Sequence, residues 1–383
     1  MDIGYDAQVQ LKLAELRKLL SPFWAGEIPV HKSPALEFYR NKIEVSFCNQ
    51  VFWPEPFNKN FRREKGAPLV FETALGFKVK GTWDRAVDIE ECIIFEPWLI
   101  PLLNAVRAWA KAENLPYYDG RKHTGILRTI MMRSAKNTGQ KMIVLVTAQD
   151  IPTENFVKAV ESVVPDANIL HSVNVSVSDG GGIGDIKILK GKNAIEEKII
   201  LGDIERTFRL SAQSFFQTNT LAAQAMYGRV RAVAKQLKPQ TIYDLYGGAG
   251  SFSLTNSDIA EKLFCVESVA PAVADGEVNA KLNGVKNVKF VCAQVEDYLR
   301  HNKLSAHNSL IILDPPRAGL HPSAEKAVAA SGAPDIIYIS CNPLTLAKNL
   351  ETLTENYKIK TIEAFDFFPN TKHIETLVQL ELK

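Results

Sequence analysis

Along residues 5–20 the apolar side chains Val9, Leu13, Leu16, Leu19 and Leu20 recur at helical spacing, and Ser21-Pro22 ends the run. From residue 37 to 81 the pattern shortens. Strands are expected at 42–47 and 75–79, with a polar, basic, proline-bounded loop at 58–68. Helical spacing returns at 98–113 and 153–164. Strands expected at 124–133 and 141–147 flank the turn Lys136-Asn137-Thr138-Gly139. A second pair, at 174–177 and 186–189, flanks Gly180-Gly181-Gly182.

Beyond about residue 205 the rhythm changes. Short apolar runs at 241–245, 262–267, 288–292, 309–313 and 335–340 alternate with helical stretches, and 376–382 would close the set. Such alternation predicts a doubly wound α/β sheet. Two domains are expected: an α+β domain over 1–205 that includes the N-terminal helix, and a Rossmann-like domain over 206–383.

Charge and cysteine usage narrow the class. The net charge is only +2, so any surface for a polyanion must come from local clustering. The five cysteines, at 48, 92, 265, 292 and 341, include no C-x-x-C pair. Zinc and thioredoxin-type chemistry are not expected, and the sparse count fits a reducing, cytoplasmic setting. The N-terminal segment is charged and amphipathic, unlike a signal peptide, and no apolar run reaches membrane-spanning length.

The candidate chemistry lies at the ends of the apolar runs. Asp244-Leu245-Tyr246-Gly247-Gly248-Ala249-Gly250 follows one of them. Glycines there let backbone approach a ligand closely, and Glu267, ending the next run, is placed to accept hydrogen bonds from ribose hydroxyls. The spacing is not G-x-G-x-x-G, which favours S-adenosylmethionine over NAD. Asp314 follows a third run and is stiffened by Pro315-Pro316. Arg317 stands where enzymes that methylate exocyclic amines commonly carry an aromatic. Cys341 follows a fourth run and precedes a helix start, which should lower the pKa of its thiol. Glu375, with apolar flanks Phe367-Phe368-Pro369 and Ile374, fits a carboxylate base of raised pKa, and His373 is its rival. In Gln213-Ser214-Phe215-Phe216-Gln217-Thr218-Asn219 there is an aromatic to stack on a flipped base and an amide to read its edge. A thiol, a base and a nucleotide-type loop together suit methyl transfer to a pyrimidine through a cysteine adduct.

These motifs resemble the RNA uracil-5-methyltransferases, which make 5-methyluridine in tRNA and rRNA. The resemblance is carried by 214–219, Asp244-Leu245-Tyr246, Gly248-Ala249-Gly250, Asn279-Ala280-Lys281-Leu282-Asn283-Gly284, Leu313-Asp314-Pro315-Pro316-Arg317, Ile339-Ser340-Cys341-Asn342-Pro343 and His373-Ile374-Glu375. It is looser over Tyr39-Arg40-Asn41-Lys42 and 87–92. It implies a class I methyltransferase fold with a central RNA-binding domain, Cys341 as nucleophile and Glu375 as base. It also implies that Asp314 and Gln217 hold the uracil edge, that Phe215 stacks on it, and that Arg317 orders the Asp314 loop and the substrate. Gln217, Tyr246, Gly248, Gly250, Glu267 and Asp314 would line the S-adenosylmethionine site.

The chain departs from the pattern in three respects. Gly247 replaces the usual cysteine, a change expected to alter packing and not chemistry. The sequence starts downstream of where ribosomal members carry a β-barrel. Of the four cluster cysteines only Cys92 has a counterpart, so no iron–sulfur cluster and no metal are expected. The implied partner is structured RNA, tRNA or rRNA; the sequence does not give the oligomeric state, and a monomer is favoured. Basic residues interleaved with aromatics, Lys59, Phe61, Arg62, Arg63 and Lys65, then Tyr117, Tyr118, Arg121, Lys122, His123 and Arg128, offer candidate phosphate and base contacts. Two other readings stay open here: a noncatalytic RNA-binding protein on this fold, and an RNA cytosine-5-methyltransferase.

Overall fold

Strands that are apolar on both faces need cover on both sides, and the chain meets that need with helices between parallel strands. The computed structural model describes residues 3–49, 73–82, 85–176, 182–304 and 307–383. It divides into two compact units, residues 1–36 with 196–383, and residues 37–195.

In the first unit eight strands run in the order Val30–His31, Tyr357–Phe365, Glu375–Leu382, Asp335–Ser340, Ser309–Leu313, Thr241–Leu245, Lys262–Glu267 and Val288–Cys292. Neighbours are parallel except for Glu375–Leu382, which runs against both of its partners. This is the expected doubly wound sheet. Its strand order reverses between Thr241–Leu245 and Ser309–Leu313, the kind of switch point where such sheets bind ligands. Residues 310–313 are all 0% exposed. The other unit is the expected α+β layer. Its sheet orders Ala86–Asp88, Ala74–Lys78, Lys42–Cys48, Leu127–Ser134, Lys141–Thr147, Asn168–Val173 and Asp185–Lys190. Helices Leu99–Ala112 and Glu154–Glu161 supply residues to the core of this unit, where Trp109 and Phe156 meet at 5.0 Å.

The structure corrects three expectations. Helix Tyr5–Leu20 belongs with residues 196–383 and not with the preceding domain. Its Leu13, Leu16 and Leu20 enter one core with Ile336, Leu350, Leu353 and Ile362. Helical spacing identifies an apolar face but not which core receives it. The expected cut at 205 falls inside a hairpin, Ala194–Leu201 with Ile204–Ser211, which the sequence pattern did not reveal. Of the strand expected at 174–177, residues 174–176 follow the strand Asn168–Val173 instead of forming one, and residue 177 lies outside the described residues. Asn174 ends that strand, because its Oδ1 accepts from the Ser176 amide at 2.9 Å and turns the chain.

Candidate active site

Parallel strands deliver their C-terminal ends to one edge of the sheet. Tyr246, Glu267, Asp314 and Cys341 therefore come to that edge from four different strands. Because Glu375–Leu382 runs the other way, its first residue arrives there too. The register is specific: Ser340 pairs with Thr376, and one step beyond that pair lie Cys341 and Glu375. Asn342, next to the thiol, caps helix Pro343–Asn356 by accepting from the Leu344 amide at 3.2 Å. Its Nδ2 donates to the Arg317 carbonyl at 2.9 Å, which ties the Asp314 loop to the cysteine turn. Asn349, on the same helix, accepts from the Leu320 amide at 3.1 Å. Gly319 makes this approach possible: it sits at φ 80°, and a Cβ there would come within 2.7 Å of the Asn349 Oδ1.

Enclosure governs the electrostatics. Desolvation and the Asp314 charge push Glu375 up to about 8, with Arg317 opposing them. Desolvation and Asp244 push Asp314 up to about 7. Desolvation, then Glu375 and Asp314, push the Cys341 thiol up to about 11, and Arg317 again pulls the other way. The expected lowering of this thiol by the helix start is thus outweighed by burial beside two carboxyl groups. Glu375 has the raised pKa expected of it. The rival base His373 lies edge-on to Phe368 at 6.3 Å.

The glycine loop is a built cradle. Tyr246, Gly248 and Gly250 take φ of 64°, 56° and 82°. Glu267 does more than stand at a strand end: its Oε2 accepts from the Gly248 amide at 3.1 Å, so it also orders the loop. Asp244 is fully buried, and one carboxylate oxygen accepts from the Ser253 amide at 2.9 Å and hydroxyl at 2.7 Å. Its Oδ1 is buried without a hydrogen-bond partner. At Gly247 an added Cβ would fall 2.4 Å from the Cys265 sulfur, so in this chain the Cys265 thiol fills the space a larger residue would need.

Phe215 and Gln217 come from the loop that follows strand Ile204–Ser211. Phe215 is 63% exposed, with its ring beside Gly248. Gln217 Nε2 donates to Asp314 Oδ2 at 3.3 Å, which joins the two residues expected to read the uracil edge. Asp275, Asn279 and Asn283, which anchor this loop and the strand before it, have roles that the sequence pattern did not reveal, whereas a capping role for Asn219 was legible there. Ser214 donates to Asp275, which also accepts from Ser211 Oγ at 3.1 Å and Arg209 Nη1 at 3.0 Å. Asn279 and Asn283, four apart on helix Ala270–Leu282 and its cap, accept from the amides of Arg209 at 2.7 Å and Thr207 at 2.8 Å. They satisfy a strand edge as a neighbouring strand would. The i, i+4 asparagine spacing was the available signal. Asn219 caps helix Thr220–Leu237 by accepting from the Ala222 amide at 3.1 Å.

In the unit of residues 37–195, Lys59, Phe61, Arg62, Arg63 and Lys65 lie outside the described residues. Arg128 is not a surface contact: it is 7% exposed, donates to the carbonyls of Asn174 and Ser176 at 2.7 and 2.6 Å, and lies over the Tyr118 ring at 4.4 Å. Arg121, Lys122 and His123 are exposed on a turn held by Asp119, whose Oδ1 accepts from the amides of Arg121 at 2.9 Å and Lys122 at 3.2 Å. Cys92 packs, half-buried, against this unit's core. Among the described residues no helix is long and apolar enough to cross a membrane.

The sequence pattern of the family described as tRNA (uracil-5-)-methyltransferase matches residues 139–383. An uncharacterized RNA methyltransferase of Clostridium tetani is 32% identical over 391 aligned residues, covering 100% of this chain and 81% of the relative. One from Bacteroides thetaiotaomicron is 29% identical over 393 residues, covering 100% of this chain and 84% of the relative. Among solved structures, the Pyrococcus abyssi tRNA (uracil-54, C5)-methyltransferase in complex with S-adenosyl-L-homocysteine aligns with a TM-score of 0.77 at 28% identity. That alignment covers 99% of this chain and 84% of that one.

Proposed function

Given that the chain belongs to the tRNA (uracil-5-)-methyltransferase family, we propose that it methylates carbon 5 of a uridine in structured RNA, tRNA or rRNA, through a covalent Cys341–carbon 6 adduct. Bound S-adenosylmethionine supplies an electrophilic methyl group. The cradle suits it: backbone at positive φ approaches closely, and the carboxylates of Glu267 and Asp244 keep acceptor capacity for the ribose and ammonium groups.

Carbon 5 of uracil is a weak nucleophile until a thiolate adds to carbon 6 and makes it enolate-like. Cys341 performs that addition. It must first lose its proton, which Asp314, one of the two carboxylates close enough to raise its pKa, can accept, leaving Glu375 unprotonated for the later step. Gln217 and Asp314, already paired, present a donor and a titratable carboxyl to the uracil edge, while Phe215 offers a stacking face. After methyl transfer Glu375 takes the carbon-5 proton. That C–H electron pair becomes the carbon 5–carbon 6 double bond, and the Cys341 sulfur leaves with the electrons of its bond to carbon 6. A carboxyl near 8 is well matched to such a proton transfer near neutral pH. Uridine must leave its stack to reach this edge, and the exposed Arg121–Lys122–His123 turn is proposed as part of the RNA-holding surface.

The observation that carries this reading is the register that sets Cys341 beside Glu375. Its test is methyl incorporation together with a denaturant-stable protein–RNA adduct. Cys341→Ala is expected to lose both. Glu375→Gln is expected to accumulate the adduct, with turnover down by roughly 10²–10⁴. Undiminished methylation by Cys341→Ala sinks the mechanism. Comparing 5-methyluridine in tRNA and rRNA from cells with and without the gene identifies the target.

A further inference from the structure

Residues 366–374 join the last two strands and close on the pair Phe365 with Glu375, so the path of this segment decides where the Glu375 carboxyl points. The segment is gripped from the far end of the chain. Lys12 Nζ lies 2.8 Å from Asp366 Oδ1, in a pair whose side chains are 1% and 0% exposed. The same ammonium donates to the Phe368 carbonyl at 3.0 Å. One helical turn earlier Gln8 makes a two-way clasp with Asn370. Its Nε2 donates to Asn370 Oδ1 at 3.0 Å, and its Oε1 accepts from the Asn370 amide at 3.0 Å. Asn370 sits at φ 64°, a left-handed conformation in which the clasp holds it. From the opposite direction Asn219, the helix cap just beyond Gln217, donates to the Phe367 carbonyl at 2.9 Å.

Gln8 and Lys12 are both 3% exposed on a helix whose other buried residues are Val9, Leu13, Leu16 and Leu20. If this helix served only to cover a core, leucine would do as well there, and a buried lysine and amide would be costly. Directional bonds to four consecutive or near-consecutive residues, 366, 367, 368 and 370, fix a backbone path instead.

We infer that Lys12 and Gln8 are positioning residues for the base: they hold residues 366–374 so that Glu375 faces the adduct formed on Cys341. The inference rests on the covalent mechanism proposed above. In that mechanism Glu375 acts only after methyl transfer, by taking the carbon-5 proton as the carbon 5–carbon 6 double bond reforms and the sulfur departs. Loss of the grip should therefore spare adduct formation and slow adduct resolution.

The experiment uses the full chain, methyl-labelled S-adenosylmethionine and bulk RNA from cells lacking the gene, quenched into denaturant over time. Gln8→Ala and Lys12→Met are expected to form labelled adduct within about twofold of the wild-type rate. They should release methylated RNA at least about tenfold more slowly, since a small misplacement of a catalytic group can cost ~10²-fold. Lys12→Arg is expected to restore release. Equal slowing of both steps, or of neither, in Gln8→Ala overturns the inference, and that variant keeps the test decisive if Lys12→Met fails to fold. Glu375→Gln runs alongside. If it traps adduct and Gln8→Ala does not, the positioning role alone falls. If Glu375→Gln traps none, the base assignment fails and takes this inference with it.

Discussion

The unit built from residues 1–36 and 196–383 encloses three acids at its sheet edge, whereas the unit of residues 37–195 encloses the cations Lys42 and Arg128 on its strands. Asp244, Asp314 and Glu375 stand at about 6, 7 and 8, chiefly through desolvation. Lys42 is pushed down to about 8 by burial and by Arg133, its partner in the strand register, and Arg128 donates to two backbone carbonyls. Asp314 and Glu375 titrate near neutral pH, which chemistry can use. Arg128 spends its donors on structure. A count of basic residues therefore overstates the cationic surface that residues 37–195 could offer to RNA, whereas the acids understate their importance in any charge sum over the sequence.

Asp314→Asn has the largest expected effect. This removes the carboxyl that acts on both Cys341 and Glu375, and a loss of methylation of about 10²–10³ is expected. Activity within twofold would place uracil recognition elsewhere. Next in size is Glu267→Ala, which loses the bond to the Gly248 amide together with the proposed ribose acceptor. Calorimetry should show S-adenosylmethionine binding weakened by roughly 1.5–3 kcal/mol. Unchanged affinity would mean that neither role matters.

Two sets of cations in the other unit should then separate cleanly. Arg128→Ala is expected to lower Tm through loss of charged hydrogen bonds worth about 2–3 kcal/mol. Arg121→Ala with Lys122→Ala should lower Tm less than Arg128→Ala does while reducing the salt dependence of RNA binding by about 2 in log–log slope. Equal melting of both variants, or an unchanged slope, would erase the distinction between structural and RNA-facing cations.

The smallest effects concern pH and have opposite signs. Glu375 has a folded pKa raised above its unfolded value, so the folded state holds its proton more firmly, and that stability is lost as pH rises through about 8. Glu375→Gln should melt roughly 2–4 °C above wild type at alkaline pH, with the gap closing under acid conditions. Lys42 has a depressed folded pKa, about 8, so wild type gains stability as pH rises from there toward the lysine reference value. Lys42→Met should gain stability at neutral pH and lose that advantage in strong alkali. Parallel pH trends in the two variants would contradict the opposed burial of charge.

Local pattern alone determined the apolar runs that became the parallel strands, from Thr241–Leu245 to Asp335–Ser340, and the residues at their ends, Glu267, Asp314 and Cys341. That worked because a strand's burial and its glycine or proline boundary are written within a few residues of each other. Only the tertiary structure decided which core receives helix Tyr5–Leu20, that Asp275 holds Ser214 and Asn279 the strand before it, that Asn219 reaches the Phe367 carbonyl, and that Arg128 faces inward. It also reversed the expectation for Cys341, whose thiol is raised and not lowered. Partners such as Lys12 and Asp366 lie 354 positions apart, beyond any periodicity. Desolvation, which sets the pKa of Glu375 and Cys341, is a property of the enclosure that several strands and loops make together, and no single stretch of sequence contains it.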